Sequence, residues 1–196
     1  MIALHGVTKR FGEQVVLDAV DLELTDGGMT ALMGSNGSGK TTLGRLLLGL
    51  ETADEGAITE LDGRRRAAVF QEDRLCEQLT AVGNVRLVLD RGTPVAAVVD
   101  ELRHVGLDDE SLAKPVRELS GGQRRRVAIV RALMPEADLV VLDEPFTSLD
   151  TDAKVVVTAY VRDRCRGRTT LLITHDRADA DGFGARVVEL GRAATA

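Results

Sequence analysis

Eight consecutive residues, Gly34-Ser35-Asn36-Gly37-Ser38-Gly39-Lys40-Thr41, restrict this chain more than any other feature. Glycines let successive backbone N–H groups turn inward without a Cβ in the way, so a short loop can concentrate many donors on one small anion. The pattern G-x-x-x-x-G-K-[ST] also has a required setting, with a strand before it and a helix after it. Residues 30–33 read as a short strand, and Leu43, Leu46, Leu47 and Leu50 recur at helical spacing. A helix beginning near Lys40 adds its positive end to the same place. The loop is therefore expected to cradle a triphosphate through Gly34 to Thr42, with Lys40 reaching the β- and γ-phosphates and the Thr41 hydroxyl ligating Mg²⁺.

A second element carries matching chemistry. Leu139-Val140-Val141-Leu142 is apolar throughout and ends on adjacent carboxylates, Asp143 and Glu144. An all-apolar run fits a parallel strand covered on both faces, and ligands of parallel sheets gather at strand carboxyl ends. Asp143 is placed to hold Mg²⁺ through its water shell. Glu144, the next residue along, projects differently and is the candidate to polarise an attacking water.

The rest of the pattern alternates strand and helix. Val20, Leu22 and Leu24 against Asp21, Glu23 and Thr25 mark a half-buried strand, and Asp26-Gly27-Gly28 a turn. Residues 67–70 read as another strand. From about Glu72 to Arg117 strand signals stop. Val95, Val98, Val99, Leu102 and Val105 share one helical face behind Pro94, which suits a helix start. Strand signals return at residues 138–143, 170–175 and 186–190, with a helix over 152–164 between the first two. The pattern predicts an α/β chain: a parallel-sheet core with a helical lobe inserted into it.

Composition bounds the reading. The chain has 196 residues, 44% hydrophobic and 29% charged, enough for one substantial domain or two packed lobes. The formal charge of −6 argues against a nucleic-acid partner. Apolar runs are too short to span a bilayer, and the N-terminus lacks the pattern of a signal peptide. Cys76 and Cys165 have no metal-binding spacing and read as reduced cytosolic thiols. The expected location is the cytoplasm.

Leu119-Ser120-Gly121-Gly122-Gln123 narrows the class. Ser120 can cap the helix carrying Val127, Val130 and Met134, which leaves the glycine pair unexplained. The segment resembles the signature motif of ABC transporter ATPases, and it stands between the phosphate loop and the acidic strand end, as in that family. Other family elements follow in order: Gln71 resembles the Q-loop glutamine, Ser148-Leu149-Asp150 the D-loop, and His175 the switch histidine that meets the γ-phosphate. Phe11 holds the place of the residue that stacks on adenine, where the family more often has tyrosine.

The resemblance implies a P-loop NTPase (RecA-like) core with a small antiparallel β subdomain and an inserted helical subdomain. Residues 1–71 and 137–196 would form the core and about 72–136 the helical part of one ABC ATPase domain. It implies ATP and Mg²⁺ as ligands, the metal held by Thr41, Gln71 and Asp143, and Glu144, His175 and Gln71 as the catalytic set. It also implies a second ATPase subunit, a homodimer, in which Ser120, Gly121, Gly122 and Gln123 serve the nucleotide held by the partner's Lys40. Transmembrane permease subunits would hold the chain at the cytoplasmic face of the membrane, with a solute-binding protein for an importer.

Phe70-Gln71-Glu72-Asp73-Arg74-Leu75 is similar to the Q-loops of ATPases serving nitrate, sulfonate and taurine importers. An exporter-type cassette, a soluble non-transport ABC ATPase and a degenerate cassette are the alternatives. Lys40 and Gln71 are only 31 positions apart, so the hairpin around residues 61–66 is expected to be trimmed. The 21 residues after His175 leave no room for a C-terminal regulatory domain. The basic runs at 64–66 and 124–126 read as a solvated turn and as an exposed helix start near phosphate. Leu75, Leu79, Val82 and Val85 are expected to form the wall against which membrane subunits dock.

Overall fold

In the computed structural model, which describes residues 1–191, the chain divides into two units. The first comprises Met1–Ala68, Ala137–Asp143 and the chain from Arg166 onward; the second comprises Val69–Glu136 and Glu144–Cys165. In chain order the elements are β1 (Ile2–Phe11), β2 (Gln14–Leu24), β3 (Met29–Met33), α1 (Lys40–Leu47), β4 (Glu55–Thr59), β5 (Arg66–Val69), α2 (Ala81–Arg86), α3 (Val95–His104), α4 (Asp109–Ala113), α5 (Gly121–Leu133), β6 (Leu139–Asp143), α6 (Thr151–Cys165), β7 (Thr169–Ile173), α7 (Arg177–Phe183) and β8 (Arg186–Glu189).

The first unit holds two sheets. A five-stranded sheet runs β5-β6-β7-β3-β8, and a three-stranded antiparallel sheet runs β2-β1-β4. β3 pairs in parallel with β7 and β8, and β6 pairs in parallel with β7. Every residue of β6 and β7 is buried, which is why both read as unbroken apolar or threonine-containing runs. The core is built from both sheets and α1: Ile2, Leu4, Leu17, Leu24, Leu43, Leu47, Val141 and Ile173 belong to one buried cluster. The parallel and the small antiparallel sheet are the α/β architecture that the sequence implied.

Two stretches of this unit differ from the sequence reading. β1 was not expected, and β2 starts at Gln14 rather than Val20. Both strands are interrupted: the β1–β2 register shifts between Leu4 and Val7 and again between Val7 and Lys9, with Gly6 at φ 56° and Ala19 at φ 46°. Each irregularity inverts the inward and outward faces, so no steady two-residue period survives in the sequence. Between β4 and β5 the chain makes a turn at Asp62-Gly63 and no further strand, in keeping with a trimmed hairpin.

The second unit is helical. α5 packs on α2, α3 and α6, and its buried residues include Val127, Ile129, Val130 and Leu133. Val98 and Leu102 of α3 are fully buried, as their spacing predicts, whereas Val95 at the start of that face is 47% exposed.

Candidate functional site

In the first unit, the loop after β3 turns through three glycines at positive φ, Gly34 (149°), Gly37 (80°) and Gly39 (95°). A Cβ on Gly34 would lie 2.5 Å from the Leu190 carbonyl oxygen, and one on Gly39 would lie 2.6 Å from Leu17 Cδ2. Gly37 faces open space. The loop is thus fixed against the sheet at both ends and unobstructed at its crest. Gly39 is the N-cap of α1 and offers no side-chain cap, so the first N–H groups of the helix remain available to a ligand. Lys40 Nζ donates to the carbonyls of Gly34 (2.8 Å) and Ser35 (2.9 Å), which holds the ammonium over the loop. The buried Ser38 hydroxyl has no hydrogen-bond partner among the described groups.

Because β6, β7 and β3 are adjacent and parallel, their carboxyl ends meet along one edge; Ile173 is registered with both Leu32 and Asp143. Thr41 Oγ1 there donates to Asp143 Oδ2 at 2.8 Å, and Asp143 is only 6% exposed. A hydroxyl and one carboxylate are hard oxygen donors suited to Mg²⁺, which takes few protein ligands and completes its shell with phosphate and water. Among the described residues no cluster of three His, Cys, Asp or Glu forms a metal cage. The donor set fits an ion that arrives with a phosphate.

His175 lies just past β7 on the same edge and is exposed. Its neighbours fix the chain on either side: Thr174 Oγ1 donates to Asp179 Oδ2 (3.2 Å) and accepts from the Asp176 N–H (3.1 Å), while Asp176 caps α7. Phe11 closes the β1–β2 hairpin, 46% exposed, with Lys9 Nζ 5.3 Å from its ring centroid.

The second unit carries the remaining candidates. Ser120 and Gln123 form a capping box on α5: Ser120 Oγ accepts from the Gln123 N–H (3.2 Å) and Gln123 Oε1 from the Ser120 N–H (2.8 Å). Gln123 Nε2 also donates to Ser111 Oγ at 2.7 Å, so both ends of this amide are engaged. Ser120 still has its own proton to donate, alongside the N–H groups of Gly121 and Gly122. A Cβ on Gly122 would lie 3.0 Å from the Ser148 carbonyl oxygen, which accounts for a glycine there. Gln71 is exposed, Glu144 is half-buried with φ 48°, and Asp150 caps α6 through the Ala153 N–H (2.8 Å).

Two expectations change. The basic run 124–126 is no exposed phosphate contact. Arg124 donates to the Leu119 carbonyl, Arg126 to those of Val105 and Gly106, and Arg125 is 2% exposed, bound to main-chain carbonyls. Sequence reasoning missed Arg125 as a buried residue, although it stands four and eight positions before Ile129 and Leu133, both fully buried. The proposed docking wall is also rearranged. Val85 is fully buried, and within residues 72–91 the large apolar side chains that face out are Leu79 (36% exposed), Leu87 (57%) and Val88 (49%). No helix among the described residues is long and apolar enough to cross a membrane.

Residues 17–147 match the family model described as "ABC transporter". The chain is similar to the aliphatic sulfonates import ATP-binding protein SsuB 1 of Frankia alni, 41% identical over 96% of this chain and 70% of that one. It is similar to SsuB of Burkholderia ambifaria (40% identical, 98% of this chain, 62% of the relative). It also resembles the Fe(3+) ions import ATP-binding protein FbpC of Mesorhizobium japonicum (37%, 95% and 56%). The chain therefore spans less than two thirds of the length of some of these relatives. Among solved structures, the dimeric MJ0796, a bacterial ABC transporter cassette, superposes with a TM-score of 0.85 at 29% identity over 97% of this chain and 94% of that one. The same cassette in a post-hydrolysis state bound to ADP and Pi superposes equally well, at 28% identity.

Proposed function

The chain belongs to the ABC transporter family, and on that premise we propose that it is the ATP-hydrolysing subunit of an importer for a small anionic solute of the aliphatic sulfonate class. One observation carries the reading: a glycine loop open at its crest, followed by a helix whose Thr41 hydroxyl is bonded to a nearly buried strand-end carboxylate, Asp143. That combination binds a polyphosphate and its metal together. The names of the relatives support the sulfonate class. The binding subunit itself does not touch cargo, so they are the basis for it.

In the proposed mechanism Phe11 stacks on adenine, and the N–H groups from Ser35 to Thr42 take the phosphates. Lys40 exchanges its bonds to the Gly34 and Ser35 carbonyls for phosphate oxygens. Thr41, Asp143 and Gln71 would hold Mg²⁺, which would supply charge neutralisation at the phosphates. Glu144 accepts a proton from water as its oxygen bonds to the γ-phosphorus, and the bond from that phosphorus to the β–γ bridging oxygen breaks, releasing ADP and phosphate. His175 steadies the γ-phosphate. Residues 1–71 and 137–196 with the helical part 72–136 act as one ATPase domain, of which residues 192–196 lie outside those described.

Each site is shared in a homodimer: Ser120, Gly121 and Gly122 serve the nucleotide on the partner's loop, Gln123 shapes their helix end, and Asp150 lies on the same segment as Ser148. Permease subunits hold the pair peripherally at the cytoplasmic face of the membrane, and a solute-binding protein delivers the cargo. Mixing tests the shared site. Lys40→Ala and Ser120→Arg homodimers each damage both sites, but a mixed dimer has one intact site. With Glu144→Gln in both chains to retain the closed state, the mixture should form MgATP-dependent dimer on size exclusion that neither variant forms alone. No gain on mixing would place both halves of the site in one subunit.

A further inference from the structure

α5 presents a second kind of chemistry past its capped end. Arg125, 2% exposed, spreads its guanidinium among main-chain oxygens of two separate segments. Nη1 donates to the Phe70 carbonyl (2.5 Å) and, at longer range, to the Gln71 carbonyl (3.4 Å) and Asp73 Oδ1 (3.3 Å). Nε donates to the Pro145 carbonyl (2.9 Å) and Nη2 to that of Glu144 (2.5 Å). Six residues along, Arg131 donates to the carbonyls of Arg74 and Asp73, both at 2.8 Å.

The segments held are strained. Glu144 and Arg74 occupy the left-handed region, at φ 48° and 46°, which a residue with a side chain adopts only when its surroundings impose it. Glu144 also precedes Pro145, whose ring favours extended backbone at the position before it. In both cases the carbonyl of the strained residue is bound by an arginine of α5. A planar fork with five donors satisfies carbonyls that point in different directions, which an ammonium or an amide cannot do.

We propose that Arg125 is a positioning residue for hydrolysis: by fixing the main chain at Phe70–Gln71 and Glu144–Pro145 it sets the directions in which the Gln71 and Glu144 side chains leave the backbone. This rests on the catalytic reading of those two residues given above. Arg125 touches neither nucleotide nor water in this role. It keeps Glu144 in a backbone conformation that the residue would otherwise leave, and it ties that conformation to the position of Gln71.

The test uses the full chain with Arg125→Lys, Arg125→Gln and Arg125→Met, beside Glu144→Gln as reference. MgATP affinity is measured by calorimetry, turnover by phosphate release, and the folded fraction by circular dichroism at the assay temperature. Misplacing a reacting group by about 1 Å costs on the order of 100-fold in rate, so kcat per folded molecule should fall about that far in Arg125→Gln with Kd for MgATP nearly unchanged. Arg125→Lys, which keeps the cation and carries the same test if the other variants fail to fold, should recover part of the loss. Combined with Glu144→Gln, the Arg125→Gln variant should still form MgATP-dependent dimer. Wild-type kcat per folded molecule in all variants would overturn the proposal and leave Arg125 a structural residue, as would parallel loss of Kd and kcat in a folded protein. Near-wild-type turnover in Glu144→Gln would instead remove the catalytic reading on which the proposal stands.

Discussion

Replacing Gly39 with alanine should damage the phosphate loop far more than the same change at Gly37, and the difference can be worked from their surroundings. Both have positive φ, 95° and 80°. An L-residue in that region costs about 1–2 kcal/mol, offset by about 0.4–1 kcal/mol because alanine restricts the unfolded chain. For Gly37, whose added Cβ would meet nothing within 4 Å, that leaves a net loss of about 0–1.6 kcal/mol. At Gly39 the Cβ would stand 2.6 Å from Leu17 Cδ2 and 2.8 Å from the Val16 carbonyl oxygen. Leu17 is 1% exposed and belongs to the core cluster, so it has little room to retreat. Overpacking of this kind adds about 1–3 kcal/mol. The Gly39→Ala loss then exceeds the Gly37→Ala loss by about 1–3 kcal/mol, a further fall in melting temperature of about 2–12 °C in a chain of this size. Urea unfolding followed by circular dichroism reads the difference. Equal midpoints for the two variants would show that β2 yields freely and that steric closure does not hold this loop.

Lys40→Ala should weaken MgATP binding roughly 10- to 100-fold, the worth of one charged donor in such a cradle, with little change in melting temperature; unchanged affinity by calorimetry would misplace the site. Asp26 is held down to about 2, from 3.8, first by the Arg64 guanidinium and then by the N-terminal ammonium. A lowered carboxylate stabilises the fold above its unfolded value and loses that contribution as pH falls through its folded one. Asp26→Asn should therefore lower the melting temperature at pH 5 to 7, less so near pH 3, and least near pH 2, where the folded-state carboxyl is already half protonated; a pH-independent difference would assign the effect to packing. Leu79→Asp, at an exposed apolar position, should abolish copurification with the proposed membrane subunits and spare MgATP binding. Loss of both would make Leu79 part of the fold's interior support instead.

What could be read from the chain depended on how local its cause was. The glycine loop, the Thr41 hydroxyl and the apolar strand ending at Asp143 follow from backbone freedom and burial on both faces, and each shows in a few adjacent residues. β1 and the first half of β2 did not show, because bulges at Gly6 and Ala19 break the alternation that reveals a half-buried strand. Arg125 was hidden for another reason: its partners are carbonyl oxygens, which every residue carries and no letter of the sequence marks. In a run of three arginines the middle one reads as solvated. Only its helical phase with Ile129 and Leu133 told otherwise.

Recognition of main chain by α5 has a consequence for how this family member can change over time. A carbonyl oxygen survives every substitution, so residues 70, 74 and 145 can drift in identity while the guanidiniums of Arg125 and Arg131 keep the oxygens at 70, 74, 144 and 145 in place. Mutational freedom is thus displaced from the many residues that are held to the two arginines that hold them. A saturation library across both segments should tolerate much at the clamped positions, the side chains of Gln71, Asp73 and Glu144 apart, and almost nothing at Arg125.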